Sequence, residues 1–186
     1  MRAILFILLL FSVPLNALAQ NNGWKQNTQL LPQYCKDRAK GGQSAEFIKW
    51  RGTFGEAFIH MHHYCAGVYA EKMAKITVNQ QERDHWLGDV IHQMKYVGNH
   101  CHTGCILFPE LHTRLGWAFG ERGEVSDAIR QFQLVIKTYP KYTQAYAELS
   151  DLFVKIDMPG EARKILEAGL KAKPGSPILQ QRLKEH

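Results

Sequence analysis

The sequence is short of the features that announce chemistry. It has no glycine-rich phosphate loop, no nucleophile elbow and no His-Glu-x-x-His motif, so common signatures of nucleotide hydrolysis, serine hydrolysis and zinc proteolysis are missing. Cysteine is scarce, at four in 186 residues, and Cys101-His102-Thr103-Gly104-Cys105 is not the Cys-x-x-Cys-His of haem attachment. Nothing after residue 19 is apolar for long enough to cross a bilayer. Charge of one sign is not concentrated either. The formal net charge of +6 is spread along the chain, which describes a solvated, mildly basic surface and argues against a nucleic-acid groove. Asp37, Glu56 and Asp84 could serve as acids or bases, but carboxylates on helices are usually solvated partners of nearby Lys or Arg. The expectation is a chain that is not an enzyme and carries no cofactor.

What is present begins at the N-terminus. Arg2 precedes an apolar run from Ala3 to Val13, Pro14 breaks it, and Ala17-Leu18-Ala19 supplies small residues where a signal peptidase reads. This predicts a signal peptide over 1–19 with cleavage before Gln20, and so a periplasmic or secreted protein. The alternative is an uncleaved anchor, for which the run is short. An even number of cysteines in an exported chain favours disulfides. Of the three pairings open to four cysteines, the preferred one joins Cys35 to Cys65 and Cys101 to Cys105. The first would tie an N-terminal arm to a helix, and the second would brace a helix end.

Residues 20–43 are rich in Asn, Gln, Gly and Lys and read as an extended arm. Residues 44–108 read as a helical hairpin followed by a cysteine-containing loop. Its first helix is expected from Ser44 to Ile76, with early turns disturbed by Gly52 and Gly55. Its second runs from Gln80 to Val97, with Trp86, Val90, Ile91, Met94 and Val97 as the buried stripe.

The strongest signal lies in residues 109–186. Leu115, Gly116, Phe119, Ala128, Phe132 and Pro140 each match a residue of similar size or chemistry 34 positions later, at Leu149, Ser150, Phe153, Ala162, Leu166 and Pro174. A repeated hairpin buries its apolar face only by stacking on a neighbour. The expected helices are Glu110 to Glu121, Val125 to Thr138, Gln144 to Ile156 and Gly160 to Ala172. A last short helix follows, capped by Ser176, with Ile178, Leu179 and Leu183 turned to the stack. The predicted fold is all-α, with antiparallel hairpins stacked as a short α-solenoid and closed by a C-terminal capping helix.

These residues resemble the tetratricopeptide repeat family, whose 34-residue unit is a pair of antiparallel helices. Gly116 with Ala128, and Ser150 with Ala162, match its facing small residues. Phe119 and Phe153 match its large aromatic position, and Pro140 and Pro174 its closing proline. His112 departs from the usual aromatic, and Asp157 stands where a turn glycine is usual. A weaker copy is discernible in 44–108, with Gly88 as its small partner residue. The resemblance implies a concave groove that holds a protein partner, lined by Glu110, Thr113, Trp117, Gly120 and Glu121 and by Gln144, Ala147, Asp151, Val154 and Lys155. Trp117 is the residue type most often found as a binding hot spot; the alternative is that the arm or the first hairpin covers it. The rival function is a periplasmic metal-binding or redox protein. It would use the His- and Cys-rich hairpin at 44–105, where Glu56, His60 and His63 share a predicted face and His100 and His102 flank Cys101.

Overall fold

A computed structural model describes residues 23–41 and 44–185. The predicted signal peptide, residues 20–22, 42–43 and His186 lie outside the described residues. Those described are all-helical, with no strand among them. No helix among them is long and apolar enough to cross a membrane.

The chain opens with α1 (Gly23–Gln26), a 3-10 turn (Thr28–Leu30) and α2 (Gln33–Lys40). The segment expected to be extended is therefore largely helical. A helix as short as α2 is marginal alone, and tertiary contacts hold it. Cys35 is bonded to Cys65. Two residues on, the buried Asp37 carboxylate accepts from the Trp50 indole N–H at 2.9 Å, Gln33 at 2.9 Å and Lys40 at 3.0 Å. The bridge to Cys65 and the bond from Trp50 span 30 and 13 residues and leave no periodic trace in the sequence.

The single helix expected from Ser44 to Ile76 is broken in two. Ser44 does cap α3 (Ala45–Phe54), its hydroxyl accepting from the Phe47 N–H at 3.1 Å. Gly55 then takes a left-handed φ of 57°, a 3-10 segment runs Gly55–His60, and α4 follows at Met61–Ile76. An L side chain is strained at such a φ, so Gly55 permits the corner. It lets α3 fold back until Trp50 reaches Asp37 and the Phe47 ring meets Phe58 edge-on at 4.8 Å.

From α4 onward each helix packs on the next: α5 (Gln80–Gly98), α6 (Phe108–Glu121), α7 (Val125–Thr138), α8 (Thr143–Lys155) and α9 (Pro159–Ala172). The last helix, α10 (Pro177–Glu185), packs on both α8 and α9. Asn79 caps α5 by accepting from the Glu82 N–H at 2.9 Å. Leu87, Val90, Met94, Leu111, Leu115, Phe119 and Phe132 form one continuous core, and Leu166 and Leu179 anchor a smaller cluster under α10.

The 34-residue period is visible in the backbone. At the α6–α7 turn Glu124 N–H donates to the Phe119 carbonyl at 2.9 Å, and at the α8–α9 turn Met158 N–H donates to the Phe153 carbonyl at 2.8 Å. The residue closing each turn is left-handed: Gly123 at φ 78° and Asp157 at φ 60°. These are the same helix C-terminal motif, with aspartate tolerated where glycine is easier.

The glycines of α6 make two close approaches to the following elements. A Cβ on Gly116 would lie 2.8 Å from the Phe132 ring, while Ala128 meets Gly120, at 3.7 Å from a Cβ placed there. The missing side chain at Gly116 lets an aromatic ring lie against the backbone. In the first hairpin, Gly88 has nothing within 4 Å of its would-be Cβ; the tight contact is Gly67, where a Cβ would meet Met94 at 2.7 Å.

Candidate functional site

The α4, α6 and α8 helices meet around a cleft of about 360 Å³. Helical spacing of three and four residues aligns the contributing side chains. Glu71, Lys72 and Lys75 come from α4. Glu110, Thr113, Arg114 and Trp117 come from α6. Tyr142, Gln144 and Glu148 come from the start of α8 and the residue before it.

A charge network centred on the buried Glu71 forms the floor. Arg114 ion-pairs with Glu71 and with Glu110, the latter at 2.7 Å, and its Nε donates to the Tyr64 hydroxyl at 3.3 Å. Lys75 also binds Glu71. Burial alone would push the Glu71 carboxyl up, but the charges of Arg114 and Lys75 outweigh it and hold that carboxyl below the ordinary range. Glu148 behaves oppositely. Burial raises its pKa against a hydrogen bond from Gln144 Nε2 at 2.8 Å and the charge of Lys75. Burial and the nearby Glu110 push the Tyr142 phenol up to about 12. The Lys75 ammonium lies 4.6 Å above the Trp117 ring centroid, a cation–π distance.

Four of the ten groove residues expected from sequence thus surround one cleft: Glu110, Thr113, Trp117 and Gln144. Trp117 is half-buried, one face under Lys75 of the preceding hairpin and the remainder on the cleft. Thr113 is buried and its hydroxyl donates to the Pro109 carbonyl at 2.7 Å. The other six, Gly120, Glu121, Ala147, Asp151, Val154 and Lys155, do not line the cleft. Glu121 pairs with Arg83 and with Lys155, and Asp151 pairs with Arg182 at 2.9 Å. Sequence reasoning missed Glu71, Lys72, Lys75, Arg114, Tyr142 and Glu148. The Glu110–Arg114 pair is legible from its spacing of four, but the partnership of Arg114 with Glu71 spans 43 residues.

All four cysteines are in disulfides with the expected pairing, Cys35–Cys65 and Cys101–Cys105, leaving no thiolate to hold a metal. The 3-10 segment removes the helical face that Glu56, His60 and His63 were expected to share. His60 instead stacks on His100 with ring centroids 4.0 Å apart, and His63 Nδ1 hydrogen-bonds Gln93 Oε1 at 2.7 Å. Among the described residues, no group of three His, Cys, Asp or Glu side chains could hold a metal ion.

The chain matches no protein-family model and no curated protein.

Proposed function

We propose that this chain is an exported, non-enzymatic scaffold built of tetratricopeptide-like hairpins, which holds a protein partner in the cleft between α4, α6 and α8. In this reading residues 109–186 comprise two repeats and a closing helix, α4 and α5 form a divergent first hairpin, and the whole is a short solenoid. The turn hydrogen bonds and left-handed residues that recur 34 positions apart support it. Disulfides and the N-terminal apolar segment support export to the periplasm or beyond.

One observation carries the binding assignment. Trp117 stands half-buried on the wall of a cleft whose floor is already braced by ion pairs, so its free surface is available without refolding. A preformed surface loses little ordering entropy on docking. The test is capture of the partner from a native envelope or secreted fraction by the wild-type chain and by Trp117→Ala. The variant should retain the helical signal at the assay temperature, with a melting temperature lowered by the lost packing of the half-buried ring, while losing the partner. Equal capture by both proteins overturns the assignment.

A further inference from the structure

The charges around the cleft do not all cancel locally. Glu71 is met by Lys75 and Arg114, and Glu110 by Arg114. Glu148, on the α8 wall, receives only the neutral amide of Gln144 at 2.8 Å and makes no ion pair among the described residues. Lys75 and Asp151 also face it, but Lys75 is bound to Glu71 and Asp151 to Arg182. A carboxylate partly withdrawn from water and without a direct ion pair, its one facing cation Lys75 being bound to Glu71, is a site for a cation supplied from outside.

The aromatic surroundings favour the same ligand. Lys75 already shows that an ammonium is accommodated on the Trp117 face, at 4.6 Å from the centroid. Tyr142 and Gln144 complete the wall that leads to Glu148. Lys72, exposed and without an ion pair among the described residues, stands on the α4 side. Its charge opposes a run of basic residues and tolerates a single one beside neutral or acidic neighbours.

We propose that the cleft receives one basic side chain of the protein partner, lysine or arginine, with Glu148 as its counter-ion and Trp117 and Tyr142 as its walls. This specifies the chemistry of the partner and rests on the docking reading above. Lys75 acts within the site as an internal competitor, occupying the Trp117 face and neutralising Glu71.

The probes are three capped tripeptides, Gly-Lys-Gly, Gly-Arg-Gly and Gly-Glu-Gly. Each is titrated into the full chain at neutral pH and low salt while the Trp117 indole N–H resonance is followed, its assignment fixed by Trp117→Phe. The Lys and Arg peptides should shift it saturably in the millimolar range, with the Glu peptide silent. Glu148→Gln should weaken the basic peptides by about fivefold or more, and Lys75→Gln should strengthen them by about twofold. The proposal is overturned if the Glu peptide saturates the shift, if Glu148→Gln leaves basic-peptide affinity unchanged, if Lys75→Gln weakens it, or if no probe moves the resonance. Capture of the full partner separates the two readings. Loss with Trp117→Ala but not with Glu148→Gln leaves docking standing and removes the cation assignment, whereas insensitivity to both removes docking as well.

Discussion

The two disulfides close loops of very different length, and this makes their removal a quantitative test of how the N-terminal helices belong to the fold. Cys35 and Cys65 are separated by 30 residues, Cys101 and Cys105 by four. By loop-closure entropy the long bridge stabilises by about 3.5 kcal/mol and the short one by about 2 kcal/mol. Cys35→Ala/Cys65→Ala should therefore lower the melting temperature by about 7–14 °C, and Cys101→Ala/Cys105→Ala by about half as much, at the 2–4 °C per kcal/mol usual for about this chain length. Urea denaturation gives the free energies directly. The native state provides an internal control, because α2 is also held by Asp37, which accepts from Trp50, Gln33 and Lys40. If those bonds suffice to keep α2 docked, the Trp50 indole N–H stays protected from exchange in the Cys35→Ala/Cys65→Ala variant and the whole loss reflects a freer unfolded chain. Equal losses for the two double variants, or a loss below about 1 kcal/mol for the long bridge, would refute the view that α2, α3 and α4 unfold with the rest as one unit.

Other expectations bear on the repeats and on pH. Gly116→Ala should destabilise by about 1–2 kcal/mol, because overpacking against the buried Phe132 ring outweighs the better helix propensity of alanine; in chemical denaturation the companion Phe132→Leu should recover part of that loss, and independent additive effects would argue against the contact. Asp157→Gly should stabilise by about 0.5–1 kcal/mol by relieving a left-handed φ, whereas Gly123→Ala at the equivalent turn should cost about 1–2 kcal/mol. A fall in stability on replacing Asp157 would refute the turn equivalence. Stability should decline with acid in two stages. Burial depresses the pKa of His60, His62 and His112 below the ordinary 6.5, so the unfolded chain takes up protons first and stability is lost as pH falls from about that value. Glu71 and Glu121 are held below their ordinary 4.5 because their cations outweigh burial, so their contribution is complete above that value and is lost as pH falls through the depressed values. Glu148, raised above 4.5 by burial, opposes these losses as it protonates; thermal melts across pH should show both declines, with His112→Gln flattening the first and Glu148→Gln deepening the decline between them, and a net rise in stability from about pH 7 to about pH 3 would contradict these signs.

The parts legible in the sequence share a physical cause. The α7 boundaries, the left-handed turn at Asp157 and the burial of Leu111, Leu115 and Phe132 follow from short-range rules: apolar spacing, proline stops and turn chemistry. The failures are equally specific. The α2 helix owes its form to a covalent bridge and to Trp50, thirteen residues from Asp37. The break at Gly55 reads as a disturbed turn in the sequence, because periodicity on both sides of it is helical and only the left-handed φ and the 3-10 segment after it separate the two. Gly88 looked like a packing glycine from its register, yet the close approach to α5 is made by Gly67. The cleft itself needs Arg114 to find Glu71, and nothing local selects that pair from the other charges along α4.

The fate of Glu121 and Lys155 explains why a groove inferred from equivalent positions came out shorter than expected. These residues stand 34 apart, at the same place in successive copies, with opposite charge, and they bind each other at 3.1 Å. The packing of α6 against α8 brings these two positions side by side, so the opposite charges placed there pair within the chain. Arg83 joins Glu121 from α5, and the Arg182–Asp151 pair does the same for α10 against α8. One end of the inferred surface is thereby closed by the chain's own salt bridges. Between α4 and α8 the equivalent neutralisation is incomplete, since Arg114 and Lys75 are both committed to Glu71 and Glu148 is left over. On the proposed docking reading, recognition is concentrated where the internal pairing runs out, beside Trp117, and not spread evenly along the first helices of the hairpins.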